Sequence, residues 1–136
     1  MIQPAVEIHD LTVAYREKPV LWDIDAIIPE GSLSAIVGPN GAGKSTLIKT
    51  LLGLIQITSG DGKVLGYDIR TQGDLIRQRI GYMPEYDCLT PEMNAVDQVK
   101  YCGELTGMNT SSAHRRAHEV LEYVGLMEAR TRQIET

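Results

Sequence analysis

The segment that decides the fold is Gly38-Pro39-Asn40-Gly41-Ala42-Gly43-Lys44-Ser45, which satisfies the phosphate-loop pattern G-x-x-x-x-G-K-[ST]. The five residues before it, Leu33 to Val37, are small or apolar and are typical of a strand buried on both faces. The residues after its glycines, Lys44 to Leu54, carry leucines at helical spacing and predict a helix. Strand, glycine-rich loop and helix in this order form the setting that phosphate binding requires.

The residue types of this loop each have a physical role. Glycines 38, 41 and 43 let the backbone bend so that successive N–H groups face an anion, and the helix N-terminus adds its dipole. We expect Lys44 to reach the β- and γ-phosphates, Ser45 to ligate Mg²⁺ and Thr46 to help hold the α-phosphate. The alternative is a glycine-rich turn with a solvated lysine. The complete motif in this context favours a nucleoside triphosphate site spanning 38–46.

Three segments, in order along the chain, resemble the ATP-binding cassette (ABC) family. The first is the phosphate loop, extended through Thr46 and Leu47. The second, Leu11-Thr12-Val13-Ala14-Tyr15, resembles the family's aromatic segment, whose tyrosine stacks on adenine. The third, Ile80-Gly81-Tyr82-Met83-Pro84-Glu85, resembles the strand and loop that usually end in glutamine. The resemblance runs from Ile8 to about Gly125.

The resemblance implies an α/β fold, a P-loop NTPase core of ABC type with an N-terminal antiparallel β subdomain, followed by the start of a helical subdomain. We expect residues 1–86 to form the N-terminal part of the ATP-binding core and 87–136 to begin the helical subdomain. The local patterns agree with this order, because strands are predicted over 6–15 and 21–28 and helices from Thr90 and from about Ser112.

Tyr15 and Glu85 each have two interpretations. Tyr15 is a candidate adenine-stacking residue or an aromatic side chain packed at a strand end. Glu85 takes the position of the family's glutamine, where it is a candidate Mg²⁺ ligand and catalytic residue, or it is an exposed loop acid. A carboxylate coordinates magnesium and accepts a hydrogen bond from water, but it cannot donate as an amide does. The Tyr-Met-Pro-Glu form resembles a branch of drug and antibiotic exporters.

Several local features are predicted from pattern alone. We expect a strand irregularity near Asp10, a hairpin turn at Asp61-Gly62 and a short strand from Ile80 to Met83. Thr90-Pro91 is expected to cap and open the first late helix. Two side chains are assigned to apolar packing rather than to a site, Trp22 on the sheet and Cys102 in the core.

Composition excludes several classes of protein. The 136 residues carry 13 Lys plus Arg against 18 Asp plus Glu, a net charge of −5, so we expect no nucleic-acid partner. No uncharged stretch is long enough to span a membrane, and two distant cysteines indicate a reducing compartment. The absence of an Asn-Lys-x-Asp motif favours ATP over GTP. His114 and His118 have metal-ligand spacing, but Arg115 and Arg116 between them favour a solvated helix face.

The family's later motifs are absent from this sequence: the signature segment, the Mg²⁺-supporting aspartate, the glutamate base and the γ-phosphate-sensing histidine. The resemblance therefore implies an N-terminal fragment that binds ATP and Mg²⁺ but is hydrolytically inactive, with the strand at Leu33 to Val37 short of its usual partners. The intact protein is expected to be a transporter subunit, cytoplasmic and peripheral on the inner face of the membrane, paired with a membrane-spanning subunit and a second ATP-binding subunit. The alternatives are a soluble ABC ATPase acting on ribosomes or DNA and an unrelated phosphate-loop kinase or GTPase.

Overall fold

A computed structural model describes residues 4–15, 18–86 and 88–134. The chain divides into two compact units, Met1–Gly81 and Tyr82–Thr136. The first unit contains, in chain order, β1 (Val6–Tyr15), β2 (Lys18–Ile28), α1 (Lys44–Leu51), β3 (Ser59–Val64), β4 (Tyr67–Asp68) and α2 (Gly73–Arg77). The second contains α3 (Ala95–Leu105), α4 (Thr110–Tyr123) and a 3-10 turn at Met127–Ala129.

The four strands of the first unit form one antiparallel sheet in the order β2-β1-β3-β4. One face of the sheet is apolar, and it packs with α2 and its preceding turn into a single core. The antiparallel N-terminal sheet expected from the family resemblance is confirmed. The buried core residues are Ile8, Leu11, Val13, Leu21, Val64, Ile69 and Ile76.

The irregularity predicted in β1 is present at Asp10. Its φ is 49°, and the pairing register of β1 shifts between Ile8 and Leu11. The backbone N–H of Asp10 donates to the Asp25 carboxylate over 3.1 Å, which holds the distorted residue. The extra residue moves the buried positions from the even-numbered Ile8 to the odd-numbered Leu11 and Val13, as a β-bulge does.

The strand predicted at Leu33 to Val37 does not form. Residues 32–39 have no regular secondary structure, and Leu33 and Val37 are 102% and 91% exposed. In the described part of the first unit the four strands pair only with one another, so no neighbour bonds the N–H and C=O groups of this segment. The open apolar faces agree with the expectation that the segment lacks its usual partners, but the strand itself was a wrong prediction.

Four smaller predictions are also wrong. Asp61 and Gly62 lie inside β3, and the chain turns instead at Leu65-Gly66, where both φ values are positive. No strand forms over 80–83. The first late helix begins at Ala95 after an Asn94 cap, because the Asn94 side chain accepts from Asp97 N over 2.8 Å. Trp22 is 71% exposed rather than packed on the sheet.

The second unit is held by the packing of α3 against α4. Val96, Ala117 and Leu121 form its buried cluster, flanked by Ala95, Val99 and Met127. Cys102 is exposed, so its assignment to the core was wrong: the helix buries Val96 and Gln98 instead. In the part of the chain that the structure describes, no helix is long and apolar enough to cross a membrane.

Candidate nucleotide-binding site

Gly43 fixes the junction between the predicted phosphate loop and α1. It caps the helix in the left-handed region with φ 94°, and Gly41 two residues earlier has φ 83°. A Cβ on Gly43 would lie 2.8 Å from Leu21 Cδ2 and 3.1 Å from the carbonyl oxygen of Val20. Glycine is therefore required here twice, for its backbone conformation and for the close approach of the loop to β2.

The start of α1 directs backbone donors toward the loop. The first helical bond joins Leu47 N to Gly43 O over 2.8 Å. The N–H groups of Lys44, Ser45 and Thr46 come before that bond, at the end of the helix that carries the positive pole of its dipole. These groups fit an anion, since they offer several convergent donors and a favourable field.

Lys44 folds over its own loop. Its Nζ atom donates to the carbonyl oxygens of Gly38 and Pro39, both over 2.8 Å, and the N–H of Ala42 donates to the same Pro39 oxygen over 3.2 Å. Residues 38–42 are all exposed to solvent, so a ligand can reach the loop directly. The ammonium is thus held beside the helix N-terminus, where it can turn from carbonyl oxygens to phosphate oxygens.

The Ser45 side chain provides the oxygen donor expected for magnesium. It lies exposed in the first turn of α1, next to the lysine. A hydroxyl oxygen at this point suits Mg²⁺, which prefers oxygen ligands and takes the rest of its coordination shell from water and phosphate. Thr46 is half-buried, and its carbonyl oxygen accepts the Thr50 hydroxyl over 2.8 Å, which ties the first turn to the second.

Two further residues were predicted to belong to the site, Tyr15 and Glu85. The described contacts do not connect either of them to the loop. Tyr15 ends β1 and pairs with Lys18, while its side chain lies outside what the structure describes. Glu85 is exposed at a bend in the second unit. Adenine stacking by Tyr15 and magnesium binding by Glu85 stay predictions.

His114 and His118 meet on α4. Their rings pack edge to face with centroids 4.7 Å apart. Among the residues described, no group of three or more His, Cys, Asp or Glu side chains is arranged to hold a metal ion. The pair has no further ligand there, and we assign it no site.

Sequence reasoning missed one contact at the other end of the helix that follows the loop. Arg77 of α2 donates to the carbonyl oxygen of Leu52, just past the C-terminal end of α1. Nothing in the local sequence pattern around Arg77 indicates which carbonyl oxygen its side chain reaches. Only the folded arrangement of α1 and α2 shows this contact.

A left-handed glycine before a helix, a lysine folded over the loop and the close approach of the loop to β2 are features of phosphate-loop nucleotide-binding proteins. Comparison with protein families is more specific, because the family model described as "ABC transporter" matches residues 21–136. The chain belongs to the ABC transporter family.

Individual relatives agree with this assignment. The chain is 42% identical over 137 residues to the zinc transport system ATP-binding protein TroB of Treponema pallidum, covering 96% of this chain and 50% of that protein. It is 36% identical over 131 residues to the linearmycin resistance ATP-binding protein LnrL of Bacillus subtilis, covering 96% and 42%. A solved structure of an ATP-binding subunit of an ABC transporter superposes with a TM-score of 0.78 at 27% identity, covering 95% and 54%. The chain spans about half the length of these proteins.

Proposed function

We propose that this chain is the nucleotide-binding part of an ABC transporter's ATP-binding subunit, and that it binds ATP with Mg²⁺ at residues 38–46. The observation that carries the proposal is the position of Lys44. Its ammonium lies on the carbonyl oxygens of Gly38 and Pro39, and Lys44 is itself the first residue of α1, whose first N–H groups have no acceptor within the helix.

The residues of the loop would act in sequence as ATP binds. Phosphate oxygens accept from the first N–H groups of α1 and draw the Lys44 ammonium away from Gly38 and Pro39, exchanging neutral acceptors for charged ones. Ser45 supplies an oxygen to Mg²⁺, and Thr46 supports the α-phosphate. Bound magnesium would neutralise charge on the β- and γ-phosphates. Tyr15 would stack on adenine, and Glu85 is proposed as a Mg²⁺ ligand on the family resemblance alone.

The transport role is proposed from the relatives. TroB is named for zinc transport and LnrL for linearmycin resistance, and neither name refers to ribosomes or DNA. We propose a membrane-spanning subunit and a second ATP-binding subunit as partners, at the inner face of the membrane. The Tyr-Met-Pro-Glu form favours export, and uptake and efflux assays on vesicles holding the complete transporter decide the direction.

We further propose that the 136-residue chain binds ATP without turning it over. The sequence contains no segment resembling the family's strand with its Mg²⁺-supporting aspartate and glutamate base. Positioned acid–base groups contribute roughly 10²–10⁴-fold to rates, so a loop without them should hold the nucleotide and leave it intact. Phosphate release no faster than from buffer is expected, and turnover that disappears in Lys44→Ala would contradict this.

Binding of a fluorescent ATP analogue tests the proposal. Lys44→Ala should weaken binding by about tenfold to a hundredfold, because a charge-assisted contact to phosphate is lost. Lys49→Ala is the matched control, since Lys49 is exposed in the last turn of the same helix, and its affinity should equal that of the wild type. Equal affinities for all three proteins, or no binding to the wild type, would overturn the proposed function.

A further inference from the structure

A side chain of α2 forms a hydrogen bond to Leu52, the residue that follows the C-terminal end of α1. Arg77 Nη1 donates to the carbonyl oxygen of Leu52 over 2.8 Å, and Nη2 pairs with Asp74 one turn earlier in α2. Leu52 is buried and Ile76, beside Arg77, is fully buried. The guanidinium therefore joins the two helices at the edge of the core.

Two glycines make room for this contact. A Cβ on Gly53, which has φ 67°, would lie 2.8 Å from Gly73 Cα. A Cβ on Gly73 would lie 2.9 Å from Arg77 Nη1. The absence of side chains at Gly53 and Gly73 therefore leaves room for the guanidinium at this junction.

The bond from Arg77 to Leu52 places a cationic donor at the C-terminal end of α1, where carbonyl oxygens lack helical partners. Leu54 N donates to Lys49 O and Gly53 N to Thr50 O, both over 2.9 Å, so the terminal turn closes on itself. The Leu52 oxygen is left for Arg77, whose fixed positive charge lies at the negative pole of the α1 dipole. A planar guanidinium with its partner Asp74 holds this geometry better than a flexible ammonium would.

The two ends of α1 are thus held by different elements. The N-terminal end rests on β2 through Gly43, and the C-terminal end rests on α2 through Gly53 and Arg77. Between these ends, Leu47 and Leu51 pack α1 against the sheet core, so loss of the Arg77 contact would tilt a helix of about 12 Å rather than free it. Such a tilt would redirect the N–H groups of Ser45 and Thr46, which must converge on phosphate to bind it.

We propose that Arg77 is a positioning residue for the nucleotide phosphates, acting through α1 from the end of the helix opposite the loop. This inference rests on the proposed function, since it concerns the same phosphate site. It predicts that loss of the Arg77 contact weakens the recognition of phosphate and leaves contacts to the nucleoside unchanged.

Equilibrium binding of ATP and of adenosine to the 136-residue chain tests this, with each variant confirmed as folded by circular dichroism. Arg77→Gln should raise the Kd for ATP about fivefold to tenfold, with adenosine affinity unchanged, since only phosphate contacts depend on the direction of α1. Arg77→Lys should recover part of the loss because it keeps the charge. Arg79→Gln is the matched control: Arg79 stacks on Tyr67 and donates to Leu75 O, and its loss should leave both affinities unchanged.

Gly73→Ala provides a second variant in case Arg77→Gln does not fold. The added Cβ displaces the guanidinium while keeping the arginine, so ATP binding should again weaken relative to adenosine binding. If either folded variant has a lower melting temperature but binds ATP with wild-type affinity, the role of Arg77 is structural only. That result would overturn the inference. Failure of the wild type to bind ATP would instead remove the proposed function, and this inference with it.

Discussion

Lys44 donates a hydrogen bond to the carbonyl oxygen of Gly38, the first residue of its own loop, over 2.8 Å. This bond closes the loop with a side chain and keeps the ammonium next to the N-terminal donors of α1. Because the bond is exposed and joins a cation to a neutral acceptor, a phosphate oxygen can replace the carbonyl at a gain in electrostatic energy. The loop is thus preorganised around the group that would bind the ligand.

The glycine at position 43 should be essential for stability. Gly43→Ala combines a strained positive φ with a Cβ only 2.8 Å from Leu21 Cδ2, so we expect a loss of about 1–3 kcal/mol in the free energy of unfolding. Gly81→Ala is the control, because nothing lies within 4 Å of its added Cβ. Chemical denaturation measures both. Equal stability of the two variants would contradict the close approach of Gly43 to Leu21 and Val20 of β2.

The sheet core and the unpaired segment should respond differently to the same substitution. Leu11→Ala removes a side chain that is 0% exposed and should cost about 2–5 kcal/mol. Leu33→Ala truncates a side chain that is fully exposed and should change stability by less than about 0.5 kcal/mol. Urea unfolding followed by circular dichroism tests the pair. A large loss in Leu33→Ala would mean that the 33–37 segment is buried in solution.

The pair formed by His9 and Glu7 should give the sheet a pH dependence. His9 Nε2 bonds to Glu7 Oε1 over 3.0 Å, which raises the pKa of His9, with Asp61 and Asp25 adding to the effect. The same bond lowers the pKa of Glu7. His9's contribution to stability is therefore complete below the pKa of an unfolded histidine and lost as pH rises through its raised folded value. Glu7's contribution is complete above the pKa of an unfolded glutamate and lost as pH falls through its lowered folded value.

An NMR titration of the His9 ring protons checks this directly. In Glu7→Gln the titration midpoint should fall, because the carboxylate that favours the charged ring is gone. Glu30→Gln removes an exposed carboxylate from the turn after β2 and should leave the midpoint where it is. A midpoint in Glu7→Gln equal to the wild-type value would contradict the hydrogen bond between Glu7 and His9.

The sequence predicted the features that depend on local pattern. The loop, the helix that follows it and the irregularity at Asp10 all follow from residue type and spacing within about ten positions. The segment at Leu33 to Val37 could not be predicted in this way. A strand needs a neighbour to bond its backbone, and apolar composition does not show whether that neighbour is present.

The sequence also failed to predict the exposure of Cys102 and the contact of Arg77, because both depend on packing between elements that are distant in sequence. Cys102 fits the apolar spacing of α3, yet packing against α4 decides which face is buried, and Gly103 rather than Cys102 meets Ala113. Arg77 donates to the carbonyl oxygen of Leu52 after α1, a contact that the local sequence around Arg77 does not indicate. Such contacts between elements that are distant in sequence determine the buried faces and supporting residues, and a single sequence does not display them.

Calorimetric titration of the wild-type chain with ATP, ADP and AMP in the presence of Mg²⁺ tests the central claim most directly. If the loop binds a phosphate chain through Lys44 and the start of α1, affinity should rise from AMP to ADP to ATP. The difference between ATP and AMP should shrink in Lys44→Ala, because the lysine reaches the outer phosphates. Equal affinity for all three nucleotides, or a difference that persists unchanged in Lys44→Ala, would contradict the account.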